Sequence, residues 1–277
     1  MKRADLLKVS DFDSKSYNSI SKGEHSIYVR KKIIDESYTV PIYRYLPFSF
    51  LIQLLREKKL YIPNRQRFSD IRELSEYHFK NIEELKCKLN PMLRGKQKSN
   101  YQALMEKHSQ IWGQAVSCWT YDSHNKGKTG NPLDENYLMW QCHKGKKFVC
   151  RIRSSVQRII NSIDILSHDI LISEIEYVPL LRRHIAHTPE DIFKKPEFYI
   201  DEQEVRMVAL HNNKDGYIAK DCVRIPITPE MMIDEITLSP FIVPEEERIL
   251  IERLKSILGD IQIAIKHSQL MEYFTNS

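Results

Sequence analysis

The segment FYIDEQEVRMVAL, residues 198–210, constrains the fold more than any other part of the chain. It is apolar and aromatic around a charged centre, which predicts a β-strand. Side chains alternate between the two faces of a strand, and the charged residues share one face: Glu202, Glu204 and Arg206. The opposite face is apolar: Val205, Met207 and Ala209. Because the charged face continues into Val208 and Leu210, we expect this strand to run beside a cleft.

The charges on this strand favour one kind of chemistry. A carboxylate beside a guanidinium stays ionised at neutral pH, so Glu204 next to Arg206 is a poor general acid. It is suited to hydrogen bonding or to stabilising a positive charge. The alternative is a solvent-facing sheet edge, in which the pairing of Glu204 with Arg206 is only structural.

Composition sets the class of protein. The chain has 277 residues, 42% hydrophobic and 29% charged, which is typical of a soluble globular protein. Glycine is scarce, at 8 residues, and neither GxGxxG nor GxxxxGK[ST] occurs. The five cysteines form no CxxC pair, which indicates reduced thiols and no zinc site. With no long apolar run and no signal-peptide core, we expect a cytoplasmic protein without a membrane span.

The order of apolar and turn-forming residues predicts an α+β fold. We expect a mixed, mostly antiparallel central sheet with peripheral helices, built from residues 41–277 as a single domain. Residues 1–40 are predicted to be an N-terminal extension. Strands are predicted at 41–46, 60–63, 114–122, 146–152, 172–179, 198–210, 222–227, 234–240 and 261–268. Helices are predicted at 48–59, 155–166 and 244–258.

Aromatic residues near an arginine mark a second candidate group. The strand at 41–46 places Tyr43 and Tyr45 on one face and Arg44 on the other, and the strand at 60–63 adds Tyr61. Aromatic residues in strands usually belong to the core, as does Trp140 after Met139. An arginine near tyrosines also binds phosphate and stacks on planar rings, so both interpretations stay open.

The segment RFSDIRELSE contributes the acidic residues Asp70 and Glu73, three positions apart on one face of a helix. Their spacing fits the start of a helix, where they would bind backbone N–H groups. A divalent-metal site would need further carboxylates, such as Glu202 and Glu204. We expect the capping role and no bound metal.

In their order along the chain, these motifs resemble an uncharacterised bacterial domain-of-unknown-function family. Its members carry an aromatic-Arg/Lys-Tyr strand, a "kLyfs" strand, an F-N-D-P-x-E box, a "vsCfs" strand, a Met-Trp dipeptide and a late Glu-x-Glu-x-Arg strand. The matching residues are Tyr43-Arg44-Tyr45, Leu60-Tyr61-Ile62, Phe68-Ser69-Asp70 with Glu73, Val116-Ser117-Cys118-Trp119, Met139-Trp140 and Glu202-x-Glu204-x-Arg206. The resemblance covers roughly residues 41 to 270. Ser69 and Ile71 replace the Asn and Pro of the box, and His143 stands where the family has a tyrosine.

The layout is also distantly similar to that of ADP-ribosyltransferases. In that layout a first-strand residue holds the dinucleotide, a second-strand Ser or Tyr abuts the nicotinamide, and a late glutamate steers the ribose. The resemblance implies these roles for Arg44, Tyr61 and Glu204, with Glu202 beside the catalytic carboxylate. Tyr45, Trp140 and Arg206 are then expected around NAD. Loss of nicotinamide leaves a positively charged ribose, which a fixed carboxylate stabilises.

Three functional hypotheses follow. The first is an ADP-ribosyltransferase-like enzyme that uses NAD and a nucleic-acid or protein acceptor, in a bacterial toxin or phage-defence system. The second is a metal-dependent nuclease using Asp70, Glu73, Glu202 and Glu204. The third is a non-catalytic sensor or binding module for nucleic acid or a partner protein, which the net charge of +5 permits.

Overall fold

The computed structural model describes residues 8–64, 114–121, 135–143, 148–179, 188–210 and 222–271. Phe68, Asp70 and Glu73 lie outside these ranges, and so do the roles predicted for them. Six α-helices occur in the described ranges: α1 (Lys31–Glu36), α2 (Phe48–Glu57), α3 (Tyr137–His143), α4 (Val156–Asn161), α5 (Pro229–Met232) and α6 (Pro244–Leu258). In these parts of the chain no helix has the length and apolar character needed to cross a membrane.

The described strands are β1 (Tyr17–Lys22), β2 (His25–Arg30), β3 (Ile42–Pro47), β4 (Lys59–Pro63), β5 (Ala115–Thr120), β6 (Val149–Ser154), β7 (Ile170–Glu174), β8 (Glu176–Val178), β9 (Lys194–Pro196), β10 (Glu204–Ala209), β11 (Cys222–Pro226), β12 (Glu235–Leu238) and β13 (Ala264–Lys266). Nine of them form one sheet in the order β1-β2-β7-β10-β5-β3-β6-β12-β13. Its pairings are antiparallel except β2 with β7 and β12 with β13. The predicted α+β class with a mixed, mostly antiparallel sheet is confirmed.

Two small sheets accompany the large one. β4 pairs with β11 in an antiparallel sheet, and β8 pairs with β9 in a parallel one. Residues 17–30, which we placed in an N-terminal extension, supply β1 and β2 at one edge of the large sheet. That part of the chain therefore shares the hydrogen-bond ladder of the sheet.

The main core lies on one face of the large sheet, beneath α2 and α6. In α2 the apolar side chains recur at helical spacing and point inward: Phe48, Leu51, Ile52, Leu54 and Leu55. In α6, Pro244 starts the helix and three glutamates occupy the first turn, where carboxylates suit the helix dipole. Leu250, Leu254 and Leu258 of α6 pack on the same core. α2 and α6 therefore cover one face of the large sheet with apolar side chains.

β10 is buried on both faces, and its alternation follows the sequence prediction. Val205, Met207 and Ala209 belong to the main core, whereas Val208 and Leu210 belong to a second cluster on the opposite face. The strand is shorter than predicted, because residues 197–202 form a 3-10 helix. Gln203 has a φ of 40°, a left-handed conformation that breaks an extended strand. The sheet ladder therefore begins at Glu204.

Candidate functional site

A row of paired residues across the sheet defines the face of the site. Glu204 of β10 pairs with Thr120 of β5, and Thr120 pairs with Tyr43 of β3. Directly paired residues point to the same face of a sheet. Neighbouring strands lie about 4.8 Å apart, so the backbones of Glu204 and Tyr43 are separated by about 10 Å. The carboxylate and the tyrosine therefore share one face, which we call the Glu204 face.

The sheet opens beside this row. Among the described residues, β3 and β5 pair only at Tyr43 and Thr120. Each strand forms six pairs with its other neighbour. At its far end β5 bridges to Asn64, which follows β4, rather than to β3. β3 and β5 therefore stop pairing beyond Tyr43, on the side where Tyr45 lies.

Glu204 is held by two cations. Arg206 donates from Nε to Oε1 at 2.7 Å and from Nη2 to Oε2 at 3.0 Å. Lys195 Nζ lies 3.3 Å from Oε2. The exposed fractions of the three residues are 3%, 0% and 1% for Glu204, Arg206 and Lys195. Burial alone would raise the pKa of Glu204, but the charges of Arg206 and then Lys195 lower it to about 2. Glu204 is therefore ionised at neutral pH, as its pairing with Arg206 predicted.

Glu202 is the more accessible carboxylate. Its side chain is 30% exposed and accepts a hydrogen bond from Lys195 Nζ at 2.5 Å. The same ammonium group lies 4.4 Å from the centre of the Tyr199 ring. Lys195 thus bridges the two carboxylates from β9. Its position seven residues before Glu202 gave no signal in the sequence, because β9 reaches the site through tertiary packing.

Other groups fix the backbone around this ion cluster. Arg206 Nη1 donates to the carbonyl of Ile192 at 2.6 Å. The N–H of Glu204 donates to the Tyr177 hydroxyl at 2.8 Å. The Thr120 hydroxyl donates to the carbonyl of Glu202. The two carboxylates are therefore preorganised by hydrogen bonds from several elements.

An aromatic group from β3 and α3 lies on the same face. The Tyr45 and Trp140 rings are 4.8 Å apart and nearly perpendicular, and the His143 ring is stacked on Tyr45 at 5.9 Å. Asn136 caps α3, since its Oδ1 accepts the N–H groups of Leu138 at 3.0 Å and Met139 at 3.4 Å. This cap fixes the helix that carries two of the three rings.

α3 also passes close to the carboxylates. Burial raises the pKa of the Cys142 thiol, the charge of Glu202 raises it further, and the charge of Lys195 opposes this. These two charges act on the thiol because α3 runs near the ion cluster. The charges of Glu202 and Lys195 therefore reach the helix that carries Trp140 and His143.

Arg151 of β6 completes this face and was missed by the sequence analysis. Its guanidinium lies 4.4 Å from the centre of the Tyr43 ring. Its Nη2 donates to the Thr237 hydroxyl at 3.5 Å and is 3.8 Å from the carboxylate of Glu235. The signal that could have found it is the alternation VCRIRS, which puts two arginines on one face of a strand.

The structure places Arg44 on the opposite face, away from Glu204. Arg44 adjoins Tyr43 in β3 and so points the other way, and its Nη2 donates to the carbonyl of Tyr61 at 3.2 Å. Its guanidinium is 5.9 Å from the centre of the Trp119 ring. Burial lowers the pKa of Arg44 to about 10. Arg44 therefore has no direct access to Glu204 from this position.

Tyr61 is also separate from the Glu204 face. It lies on β4 in the small sheet with β11. Its hydroxyl donates to Glu57, and the guanidinium of Arg224 is 5.3 Å from the centre of its ring. Of the predicted site residues, Glu202, Glu204 and Arg206 gather around one ion cluster with Lys195, and Tyr45 and Trp140 form a second group on the same sheet face. Arg44 and Tyr61 belong to neither group.

The carboxylates show no arrangement typical of a metal site. Among the described ranges, no group of three or more His, Cys, Asp or Glu side chains could hold a metal ion. Lys195 Nζ lies between Glu202 and Glu204, where a shared cation would bind. The acidic pair is therefore already charge-compensated by a side chain.

The chain was compared with family models, curated proteins and solved structures. No family model matches the chain, and no curated protein matches it significantly. Solved structures of DarT from Thermus sp. 2.9 align at low similarity. The complex with ADP-ribosylated ssDNA has 10% identity and a TM-score of 0.33, covering 82% of this chain and 93% of that chain. The complex with NAD+ has 10% identity and a TM-score of 0.33, covering 83% and 96%. The complex with carba-NAD+ has 11% identity and a TM-score of 0.34, covering 86% and 98%. At TM-scores this low, we take neither activity nor ligand from the likeness.

Proposed function

We propose that the protein binds a nucleotide on the Glu204 face and acts as an ADP-ribosyltransferase-like enzyme with NAD as its substrate. One observation supports this most: Glu204, linked through Lys195 to Glu202, shares a sheet face with an aromatic group, beside the point where β3 and β5 stop pairing. The ligand that fits combines a planar ring with a sugar on which positive charge develops. A pyridine nucleotide has both features.

Glu202 is the carboxylate that we assign to catalysis. The sequence pattern favoured Glu204, but Glu204 is 3% exposed and bound to two cations. Glu202 has a side chain that is 30% exposed, and it pairs with Lys195. Glu204 and Arg206 then act as positioning residues, because they hold Lys195 and the start of β10.

The proposed reaction is a substitution at the ribose carbon. The glycosidic C–N bond breaks, and its electron pair stays with the nicotinamide nitrogen. The positive charge that develops on the ribose is stabilised by the fixed carboxylate of Glu202. An acceptor nucleophile forms the new bond at the same carbon and loses its proton to a base, a role open to Glu202. The acceptor in this proposal is a nucleic acid or a protein, and the setting is a bacterial toxin or phage-defence system.

Nicotinamide release tests the proposal directly. Purified protein is incubated with NAD and with RNA, DNA or protein acceptors, and NAD binding is measured by calorimetry. Glu202→Gln should lower turnover about 100-fold or more and leave NAD affinity within about threefold, because the charge acts mainly in the transition state. Glu197→Gln is the matched control, since this exposed carboxylate begins the same 3-10 helix. A wild-type protein that neither binds NAD nor releases nicotinamide with any acceptor rules the proposal out.

A non-catalytic binding module is the second candidate. The observation that favours it is the Glu204 ion cluster, since buried ion pairs of this kind also serve a purely structural role. In that case nucleic acid or a partner protein binds equally well to wild type and Glu202→Gln. A nuclease would instead show cleavage that depends on Mg²⁺ or Mn²⁺.

A further inference from the structure

A buried carboxylate at the start of α3 has no place in the chemistry above. Glu135 is 7% exposed and accepts three hydrogen bonds. Its Oε2 accepts from Trp140 Nε1 at 3.0 Å and from the Ser268 hydroxyl at 2.6 Å. Its Oε1 accepts from the N–H of Gln269 at 2.7 Å. One side chain therefore joins α3 to the segment that follows β13.

The partners of Glu135 are all neutral. Within the described ranges no lysine, arginine or histidine forms an ion pair with it. Burying a carboxylate without a cation costs free energy, which only its hydrogen bonds offset. Glutamine in this place would direct N–H groups toward one of the donors and leave that donor unpaired. The three donors thus require the two oxygens of a carboxylate.

The same segment also contacts the aromatic group by packing. Leu270 packs against the cluster that contains Tyr45 and Trp140. The N–H of Leu270 donates to the Ser268 hydroxyl at 3.2 Å, so Ser268 bonds both to Glu135 and to the backbone of its own turn. A shift of this segment would therefore reach the Trp140 ring through two routes, the carboxylate and the leucine.

We propose that Glu135 is a positioning residue that sets the Trp140 ring against Tyr45 and couples the C-terminal segment 268–270 to the aromatic wall of the nucleotide site. The aromatic wall is the aromatic group described above: Tyr45, Trp140 and His143. The coupling stands on the hydrogen bonds alone, whereas its effect on ligand affinity rests on the proposed function. A nucleotide whose planar ring lies on this wall would then sense the position of the C-terminal segment.

The indole N–H of Trp140 reports this hydrogen bond without any ligand. Tryptophan-labelled protein gives one NMR signal for each of its three indoles, and Trp140→Phe identifies the relevant one. In Glu135→Gln, that signal should move upfield even if the amide oxygen still faces the indole, because a neutral amide accepts more weakly than a carboxylate. Its exchange with solvent should become about tenfold faster. In Ser268→Ala, it should move downfield, because Oε2 then accepts from the indole alone. Both variants keep the backbone ladder of the sheet.

Glu247→Gln is the matched control. Glu247 is also buried, at 4% exposure, and pairs at 2.9 Å with His267, which immediately precedes Ser268. It has no contact with Trp140 among its hydrogen bonds or ion pairs. Its substitution should leave the Trp140 signal in place. An unmoved Trp140 signal in Glu135→Gln, or an equal shift in Glu247→Gln, would overturn the coupling.

NAD affinity separates this inference from the proposed function. If wild type binds NAD, Glu135→Gln should weaken binding about tenfold and Glu247→Gln less than about twofold, with thermal unfolding as the check on folding. Unchanged affinity in a folded Glu135→Gln variant would contradict positioning for the ligand. If wild type does not bind NAD, the proposed function fails, and the Trp140 signals of Glu135→Gln and Ser268→Ala still decide the coupling.

Discussion

The guanidinium of Arg206 binds both carboxylate oxygens of Glu204: Nε donates to Oε1 at 2.7 Å and Nη2 donates to Oε2 at 3.0 Å. Both residues are buried. This geometry matches the preferred pairing of guanidinium with carboxylate. Because Lys195 also contacts Glu204, the carboxylate is held from two elements, β9 and β10. β10 thus carries a buried ion cluster, and Glu202, in the 3-10 helix just before the strand, is its more exposed member.

Removing Arg206 should be strongly destabilising. Arg206→Ala leaves Glu204 buried with Lys195 as its remaining cation, and breaking a buried ion pair costs about 3–5 kcal/mol of unfolding free energy. Arg30→Ala is the control, since Arg30 pairs with Glu190 at the surface, where such a pair contributes about 1 kcal/mol or less. Urea unfolding measures both. Equal losses of unfolding free energy for the two variants would show that burial does not increase the contribution of the Glu204–Arg206 pair to stability.

Acid should destabilise the fold through Glu204. Its folded pKa of about 2 lies below the ordinary value of 4.5, so its contribution is fully present above pH about 4.5 and is lost as the pH falls through about 2. The loss amounts to about 3 kcal/mol at most. Unfolding free energies measured across this range should fall more steeply for wild type than for Glu204→Gln. Parallel pH profiles would contradict the shift.

Lys195 should matter more than its neighbour Lys194. Lys195→Gln removes the cation between Glu202 and Glu204, so the two carboxylates repel each other and Glu202 loses its fixed position. We expect a loss of about 2 kcal/mol of unfolding free energy, and about tenfold slower nicotinamide release. Lys194→Gln is the control, because Lys194 forms a partly exposed pair with Asp191 at 2.8 Å. A comparable effect of both substitutions would refute the bridging role.

Tyr45 and Arg44 are neighbours that should differ in ligand binding. Tyr45 lies on the Glu204 face, and Tyr45→Ala should weaken NAD binding about tenfold, the scale of losing one aromatic contact. Arg44 points to the opposite face, so Arg44→Ala should leave binding within about threefold and instead lower stability by about 1 kcal/mol. Calorimetry of the two variants decides this. A larger loss of affinity in Arg44→Ala would assign the ligand to the other face.

The sequence alone determined the features that depend on local periodicity. The alternation in residues 204–210 separated Val205 and Met207 from Glu204 and Arg206, because successive side chains of a strand point to opposite faces. The same period separated Tyr43 and Tyr45 from Arg44. The α+β class followed from the order of such segments. The start of β10 escaped prediction, because Gln203 has a left-handed backbone that its residue type does not announce. Its carbonyl accepts the N–H of Tyr121, which follows β5.

Only the tertiary structure decided which of these faces belong together. Tyr43 shares a face with Glu204 because β5 pairs with both strands, and that register depends on hydrogen bonds between segments far apart in the chain. Lys195 and Glu204 are only nine residues apart, but the 3-10 helix between them must turn the chain back before the two side chains meet. Glu135 reaches Ser268 across 133 residues. Periodicity tells which side chains of one strand share a face. Strand pairing, which is a property of the whole fold, decides whose side chains they meet.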